Sequence, residues 1–206
     1  MTKLKKESFF WTSYSDLMTS LFFVMLVLFI LTIVILHQGM KATKAQIDKI
    51  NEIEEAVNKI DSTYFEYNKV YKKHILKIMV NFPIGVSDIN VIDLHTRNEL
   101  IKAGRSIQST LKKISREYPK IQYLLIIEGQ ASKDNYSRNY ELSYERALAL
   151  RRLWSDNNID FGDNCEVLIS GSGIGGSMRE NEERLNQRFL IHIVPKPGIV
   201  EESKSK

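Results

Sequence analysis

The sequence predicts a single N-terminal transmembrane helix, a helical, coiled-coil-like connector and a C-terminal α/β (α+β) two-layer sandwich. Three observations support this fold class: an uncharged apolar run near the N-terminus, a stretch with helical apolar spacing, and an alternation of short apolar runs with amphipathic stretches. The predicted segments are a cytoplasmic N-terminus at 1–8, a transmembrane helix at 9–37, a connector at 38–73, the sandwich domain at 74–196 and a disordered tail at 197–206.

The composition argues against several classes of protein. The 206 residues carry a net charge of +4, and the basic residues are spread along the chain without a dense patch, so nucleic acid is not an expected partner. The single cysteine rules out a disulfide framework, and the four histidines lack metal-ligand spacing. The sequence shows no nucleophile–base pair and no phosphate-binding loop. We therefore expect neither an enzyme nor a resident metal or cofactor.

The apolar run at 17–36 contains no charged residue. About 20 helical residues at about 1.5 Å each span about 30 Å, which is the thickness of a bilayer core. The run is too long for a signal peptide and ends without a small-x-small cleavage pattern, so we expect an uncleaved anchor. The short N-terminus carries Lys3, Lys5 and Lys6. We expect it to stay in the cytoplasm, which would place the C-terminal domain in the periplasm of an inner-membrane protein.

Asp16 lies at the N-terminal edge of this run, about two turns inside a helix that starts near residue 9. Thr19 and Ser20 follow at i+3 and i+4 and share its helical face. An ionisable group at that depth is costly unless it faces a protein interior or a water path. The face could therefore line a polar pathway. The alternative is that Asp16 is simply the N-cap of the membrane helix, in the headgroup region.

The connector has a heptad-like apolar seam. Its apolar positions, separated alternately by 3 and 4 residues, are Ile50, Ile53, Val57, Ile60, Tyr64, Tyr67 and Tyr71. About three heptads of this kind predict a parallel dimeric coiled coil. The alternative is a single helix that packs on its own domain.

The C-terminal region shows a β-α-β-α-β-β order. Strands are predicted at 75–82, 123–127, 166–170 and 189–194, and helices at 98–116 and 139–154. This order gives a two-layer sandwich with enough apolar length for one core.

The sequence from Trp11 to Phe23 contains Tyr-x-Asp-Leu-Met-Thr at the edge of the span, followed by a Phe-rich apolar helix. It resembles the start of the MotB/PomB family of stator subunits, and within that family it looks most like the ZorB subunits of Zorya anti-phage systems. In that family the Asp carries the translocated proton or helps to carry sodium. The resemblance implies that Asp16 is the ion carrier and that a homodimer works inside a ring of MotA-like (ZorA-like) membrane subunits. Thr19 and Ser20, which share the helical face of Asp16, are then expected to line the path.

A second resemblance covers about 115 residues of the C-terminal region. Its markers are Ile-Glu-Gly-Gln-Ala-Ser at 127–132, a complete Asn-x-x-Leu-Ser-x-x-Arg-Ala at 139–147, Gly-Ser-Gly at 171–173 and Asn-Gln-Arg-Phe at 186–189. This stretch resembles the OmpA C-terminal, peptidoglycan-binding domain. The resemblance implies that Arg146 holds the carboxylate of diaminopimelate, for which a planar, bidentate guanidinium is suited.

The chain departs from that family pattern at three positions. Ser132 stands where the family has the Asp that holds the ligand ammonium, and Asp134, two residues on, is a candidate substitute. Gln130 replaces a His, and Gln187 replaces the first Arg of an Asn-Arg-Arg motif whose second Arg is Arg188. These departures argue against recognition of diaminopimelate in the way that is usual for the family.

The resemblance thus gives as candidate peptidoglycan-binding residues Arg146, Ser132, Asp134, Asn139 and Arg188. Three of them also have a plainer interpretation. Arg146 could be a helix-surface residue paired with a nearby acid, and Arg188 a surface charge at a strand edge. Asn139 is predicted to be a helix N-cap in either case.

Taken with these resemblances, the sequence predicts a peptidoglycan-anchored, stator-like subunit of an ion-driven motor in the inner membrane, serving anti-phage defence. The alternatives are a membrane-to-wall tether without ion transport and a flagellar-type stator subunit. An ExbD/TolR-like energiser also uses an acid near the start of its span, but the motif at 139–147 argues against it.

Overall fold

The computed structural model describes residues 3–57 and 60–196, with only the backbone described for residues 3–10, 42, 45, 46 and 49. Internal contacts divide the chain into two compact units between Lys49 and Ile50. The predicted tail at 197–206 lies outside the described residues.

Helix α1 runs without interruption over Lys3–Val57. Within it, Trp11–Lys41 contains an 18-residue stretch with a mean hydropathy of 3.0 and is, by length and composition, the one helix in the described part of the chain able to cross a membrane. The apolar side chains of this segment are exposed in the isolated chain. The N-terminal apolar helix predicted from the sequence is thus confirmed as a helix, and it begins earlier than predicted.

The connector helix ends at Val57 rather than at residue 73, so the predicted boundary is wrong. Ile53, Val57 and Ile60 are only 1%, 2% and 4% exposed, because they belong to the core of the C-terminal domain. The seam up to Ile60 therefore arises from a helix end that packs on its own domain, as the alternative interpretation held. The homodimer remains a prediction.

The sheet has five strands in the order β1-β2-β5-β3-β4. Their bounds are β1 Phe65–Asn68, β2 Lys73–Leu76, β3 Tyr123–Gln130, β4 Cys165–Gly173 and β5 Phe189–Pro195. The β3–β4 pair is parallel and the other pairs are antiparallel. The β1–β2 hairpin was not predicted: β1 lies inside the expected connector, and β2 ends at Leu76 rather than continuing to residue 82. The other strands lie where they were predicted.

Two long helices cover one face of the sheet. They are α2 Leu94–Glu117 and α3 Asn139–Asp156, and short 3-10 turns lie at Ile89–Val91 and Glu183–Asn186. Asp93 caps α2, because its carboxylate accepts from the Thr96 amide at 2.9 Å. Helix α2 therefore starts at Leu94 rather than at the predicted residue 98, because its N-cap is Asp93.

The core lies between these helices and the inner face of the sheet. Tyr123, Leu125 and Ile127 alternate along β3 and are fully buried, as expected for one face of a strand. Trp154 of α3 is also fully buried and donates from Nε1 to the Leu100 carbonyl of α2 at 2.8 Å. The predicted two-layer α/β architecture is confirmed.

Candidate functional site

Asp16 lies thirteen residues after the first described residue of α1, so it is not an N-cap, and that alternative interpretation is wrong. Its carboxylate makes no hydrogen bond or ion pair with the described residues of this chain. Trp11 and Tyr14, five and two residues before Asp16, form an edge-on ring pair with centroids 6.3 Å apart. A single helix has no interior, so this carboxylate depends on water or on a partner subunit for its solvation.

Thr19 and Ser20 each donate their hydroxyl hydrogen to the carbonyl of a preceding residue. Thr19 Oγ1 donates to Ser15 at 2.8 Å, and Ser20 Oγ donates to Leu17 at 2.9 Å. These bonds satisfy the donors inside an apolar helix and leave the oxygen lone pairs free. The face that carries Asp16 therefore offers three side chains with acceptor oxygens.

Arg146 is 3% exposed, so its interpretation as a helix-surface residue is wrong. Its Nε donates to the Val86 carbonyl at 3.0 Å and its Nη2 to the Pro83 carbonyl at 3.2 Å. The guanidinium also lies over the Phe82 ring, 4.5 Å from the centroid. Burial lowers the pKa of Arg146 to about 10, opposed by the negative charge of Asp134. Arg146 therefore holds the loop at 82–86 against α3.

One nitrogen of the guanidinium has no partner among the described residues. Nη1 of Arg146 has no hydrogen bond in the described part of the chain, and it is not among the fully enclosed atoms that lack a partner. No described carboxylate lies within ion-pair distance of Arg146. A guanidinium with an unused donor can bind a carboxylate, because Nη1 would then donate a charge-assisted hydrogen bond.

Asp134 and Asn139 form a joined pair at the start of α3. Asp134 Oδ1 accepts from the Tyr136 amide at 2.9 Å and from Asn139 Nδ2 at 3.2 Å, and the same Nδ2 donates to the Tyr136 carbonyl at 2.7 Å. The N-cap of α3 is Arg138, so the predicted cap at Asn139 is wrong by one residue. Asn139 Oδ1 is buried and has no hydrogen-bond partner. Buried acceptors are normally hydrogen-bonded, so this oxygen can accept from water or from a ligand.

Ser132 lies next to Gln187. Ser132 is 9% exposed, and its Oγ accepts from Gln187 Nε2 at 2.8 Å. The Oε1 of the same Gln187 accepts from the Phe82 amide at 3.0 Å. Gln187 thus joins the end of β3 to the loop that Arg146 holds.

Arg188 is fully engaged inside the chain, and it is not the surface charge of the plainer interpretation. Its side chain is 11% exposed and forms an ion pair with Glu180 at 3.1 Å. Its Nε donates to Gln130 Oε1 at 3.0 Å, and its Nη2 donates to the Met178 carbonyl. These contacts assign Arg188 to the support of the loop at 178–180.

Much of the motif at 139–147 serves to dock α3 on the sheet. Ser143 Oγ accepts from the Gly173 amide at 2.9 Å and donates to the Tyr140 carbonyl at 2.8 Å. A Cβ on Gly129 would stand 2.0 Å from the Ser143 carbonyl oxygen. The role of Ser143 was not foreseen, although its fixed place within the motif and the glycines after each parallel strand were signals of a close approach.

No family model and no curated protein matches the chain. Among solved structures it is similar to a putative MotB-like protein from Desulfovibrio vulgaris, with a TM-score of 0.42 and 15% identity over 74% of this chain and 96% of that one. It is also similar to the C-terminal domain of Helicobacter pylori MotB, with a TM-score of 0.42 and 13% identity over 58% of this chain and 84% of that one.

A third similar structure is the peptidoglycan-associated lipoprotein of Burkholderia pseudomallei, with a TM-score of 0.36 and 18% identity over 57% of this chain and 88% of that one.

Proposed function

We propose that this chain is a stator-like subunit of an ion-driven complex in the inner membrane, anchored to peptidoglycan and serving anti-phage defence in the manner of the ZorB subunits. The observation that carries the proposal is Asp16, an unpartnered carboxylate inside an apolar helix long enough to cross a membrane. The motif at residues 11–23 supports the same assignment.

The ion step follows from the chemistry of that carboxylate. Protonation of Asp16, or its neutralisation by sodium, removes a charge that is costly in the membrane, and release restores the charge. The free lone pairs of Thr19 and Ser20 lie on the same face and would accept from water or an ion along the path. A ring of MotA-like subunits around a homodimer would supply the interior that one helix lacks.

The wall anchor is proposed at the cleft between α3 and the loop at 82–86. Arg146 Nη1 would donate to the carboxylate of a stem-peptide residue. With Ser132 in place of an acid, the ammonium of the same residue would be held by Asp134, whose second oxygen makes no hydrogen bond in the described part of the chain, and by the unpartnered Oδ1 of Asn139. Arg188 would support the neighbouring loop rather than touch the ligand.

The experiment that tests the ion role is phage protection by cells that carry the intact operon. The variants are Asp16→Asn, which keeps the size and removes the charge, and Asp16→Glu, which keeps a carboxylate at the same position. We expect Asp16→Asn to abolish protection at matched expression, and Asp16→Glu to retain part of it.

The alternative functions make different predictions for these variants. If the Asp16→Asn cells still exclude phage, the chain is a wall tether without ion transport. If the wild-type operon gives no protection but supports motility and proton flux with its partner subunit, the flagellar-type alternative replaces the defence role.

A further inference from the structure

A second candidate contact surface lies on the flank of α3 that faces away from Arg146. Tyr140 and Tyr144 are 57% and 45% exposed and lie four residues apart, so they share one helical face. At about 100° per residue, Arg146 points to a different side of the helix from both rings. We call this pair the tyrosine platform.

A glycine-rich turn after β4 fixes the position of the platform. Gly173 has φ +56°, and a Cβ there would stand 2.7 Å from both Cγ and Cδ1 of Tyr140. A Cβ on Gly175 would stand 3.1 Å from the Tyr140 hydroxyl. The ring of Tyr140 therefore lies directly against the backbone of residues 173–175, with its other side open to solvent.

The backbone at Tyr144 is held by the same strand, β4. A Cβ on Gly171 would stand 2.4 Å from the Tyr144 backbone nitrogen, so the helix approaches β4 as closely as glycine permits. Two exposed aromatic side chains about one helical turn apart, on a helix whose backbone is fixed against the sheet, offer a large contact area at little loss of conformational entropy. An exposed aromatic pair of this kind is typical of a binding surface.

The chemistry of the platform favours an amphipathic ligand without a negative charge. Glu141, beside Tyr140, forms an ion pair with Arg138 at 3.6 Å, and Glu145, beside Tyr144, accepts from the Ser87 hydroxyl at 3.0 Å. A sugar ring presents an apolar C–H face to an aromatic ring and directs its hydroxyl groups to water, which matches tyrosine with its apolar body and polar tip.

We propose that the tyrosine platform binds the carbohydrate backbone of the cell-wall polymer. The inference rests on the proposed wall anchor, because both surfaces lie on the first two turns of α3. A polymer with a sugar backbone and charged peptide branches can place a branch in the Arg146 cleft and a sugar on Tyr140 and Tyr144. The structure thus assigns the two chemical parts of one ligand to two flanks of one helix.

The test uses the full-length chain in detergent and two separate probes: glycan strands from which an amidase has removed the stem peptides, and soluble stem peptide. The test variant is Tyr140→Leu combined with Tyr144→Leu, which keeps apolar bulk without rings. The matched control is Tyr140→Phe combined with Tyr144→Phe. We expect the Leu pair to weaken glycan binding about tenfold, and the Phe pair to stay within about twofold of wild type.

Free stem peptide should not displace the glycan strands, because the two ligands occupy different flanks. The thermal melts of both double variants should match wild type, since the rings are exposed, and single Leu variants at each position give an independent reading if the pair does not fold.

The outcomes separate this proposal from the one on which it rests. If the Leu pair binds glycan as wild type does, or wild type binds no glycan while it still binds stem peptide, the platform is wrong and the wall anchor stands. If wild type binds neither probe, both are wrong. If the Leu pair keeps glycan binding but changes the molecular mass of the complex in light scattering, the surface is a protein interface and the proposal is overturned.

Discussion

Gln187 donates from Nε2 to Ser132 Oγ at 2.8 Å, so two of the positions at which the chain departs from the OmpA-like sequence pattern touch each other. Where that pattern has an acid and an arginine, this chain has a neutral hydrogen-bonded pair. The two substitutions therefore match: an aspartate alone would lack its cation, and an arginine alone would lack its anion in a partly buried site. The consequence for a ligand is that no carboxylate stands at residue 132.

The first prediction concerns Ser132→Asp. A carboxylate can still accept from Gln187 Nε2, which offsets part of the cost of a charge without a cation, so we expect the fold to be retained with a lower free energy of unfolding. The new charge should strengthen binding of a ligand ammonium by about tenfold for each 1.4 kcal/mol gained. The measurement is titration calorimetry with a stem peptide that contains diaminopimelate. Ser132→Asn, which adds the same bulk without charge, should give no such gain, and equal affinities for the two variants would contradict the proposed geometry.

The second prediction concerns Arg146→Lys. Lysine keeps the charge but cannot bond both the Pro83 and Val86 carbonyls from a planar fork, so we expect a loss of about 2–4 kcal/mol in the free energy of unfolding. Urea denaturation of the full-length chain measures it. Arg152→Lys, at an exposed site of the same helix, should change the midpoint little. Equal midpoints for the two variants would show that the loop contacts do not stabilise the domain.

The third prediction concerns the glycines under α3. Gly171→Ala would place a Cβ 2.4 Å from a backbone nitrogen, which no side-chain rotation can relieve, so we expect a loss of more than about 3 kcal/mol or failure to fold. Gly39→Ala is the control, because nothing lies within 4 Å of its Cβ position inside α1, and it should be neutral or stabilising by up to about 1 kcal/mol. Thermal melting followed by circular dichroism distinguishes them.

The fourth prediction separates intramolecular packing from a coiled-coil seam at the end of α1. Ile53 is 1% exposed and Ile50 is 36% exposed, although both lie on the predicted seam. Ile53→Ala should lower the stability of the C-terminal domain by about 2–5 kcal/mol, and Ile50→Ala by much less. A dimeric seam predicts instead that both variants weaken chain association to a similar extent, which analytical ultracentrifugation in detergent would detect.

The fifth prediction concerns pH. His74 is 2% exposed between the rings of Phe65 and Tyr67, and burial, with a further contribution from the charge of His192, lowers its pKa to about 4. Because the folded pKa lies below the unfolded value of about 6.5, the unfolded chain binds the proton more tightly. The contribution of His74 to the free energy of unfolding is therefore fully present above about pH 6.5. It falls by up to about 3 kcal/mol as the pH drops to about 4.

The matched variant for this effect is His74→Phe, which keeps an aromatic ring and removes the titrating group. Urea denaturation between pH 7 and pH 5 should show a clear slope for wild type and a shallower one for the variant. The pKa of His192 is also lowered by burial, so part of the slope should remain. If the free energy of unfolding had the same pH dependence in wild type and in His74→Phe, the pKa of His74 would not be lowered in the folded protein.

The elements that the sequence predicts correctly are those in which apolar residues recur at a regular spacing along one segment. α2 and α3 follow from a helical apolar spacing, and β3 from a short apolar run that ends at a glycine. The β1–β2 hairpin escaped prediction because Tyr67 and Tyr71 continued the heptad spacing of the connector by coincidence. Strand and helix periods cannot be told apart over so few residues, and the strands are formed because β1 pairs with β2 and β2 pairs with β5.

The sequence by itself determined the apolar span, the placement of Asp16 within it with Thr19 and Ser20 on the same face, and the alternation of elements in the sandwich, because these depend on neighbours along one chain segment. Only the tertiary structure decided that Arg146 is buried, that Arg188 is ion-paired and that Ser132 meets Gln187. Those properties arise from contacts between residues far apart in the chain, and they are set by the packing of α3 and the loops against the sheet rather than by any local pattern.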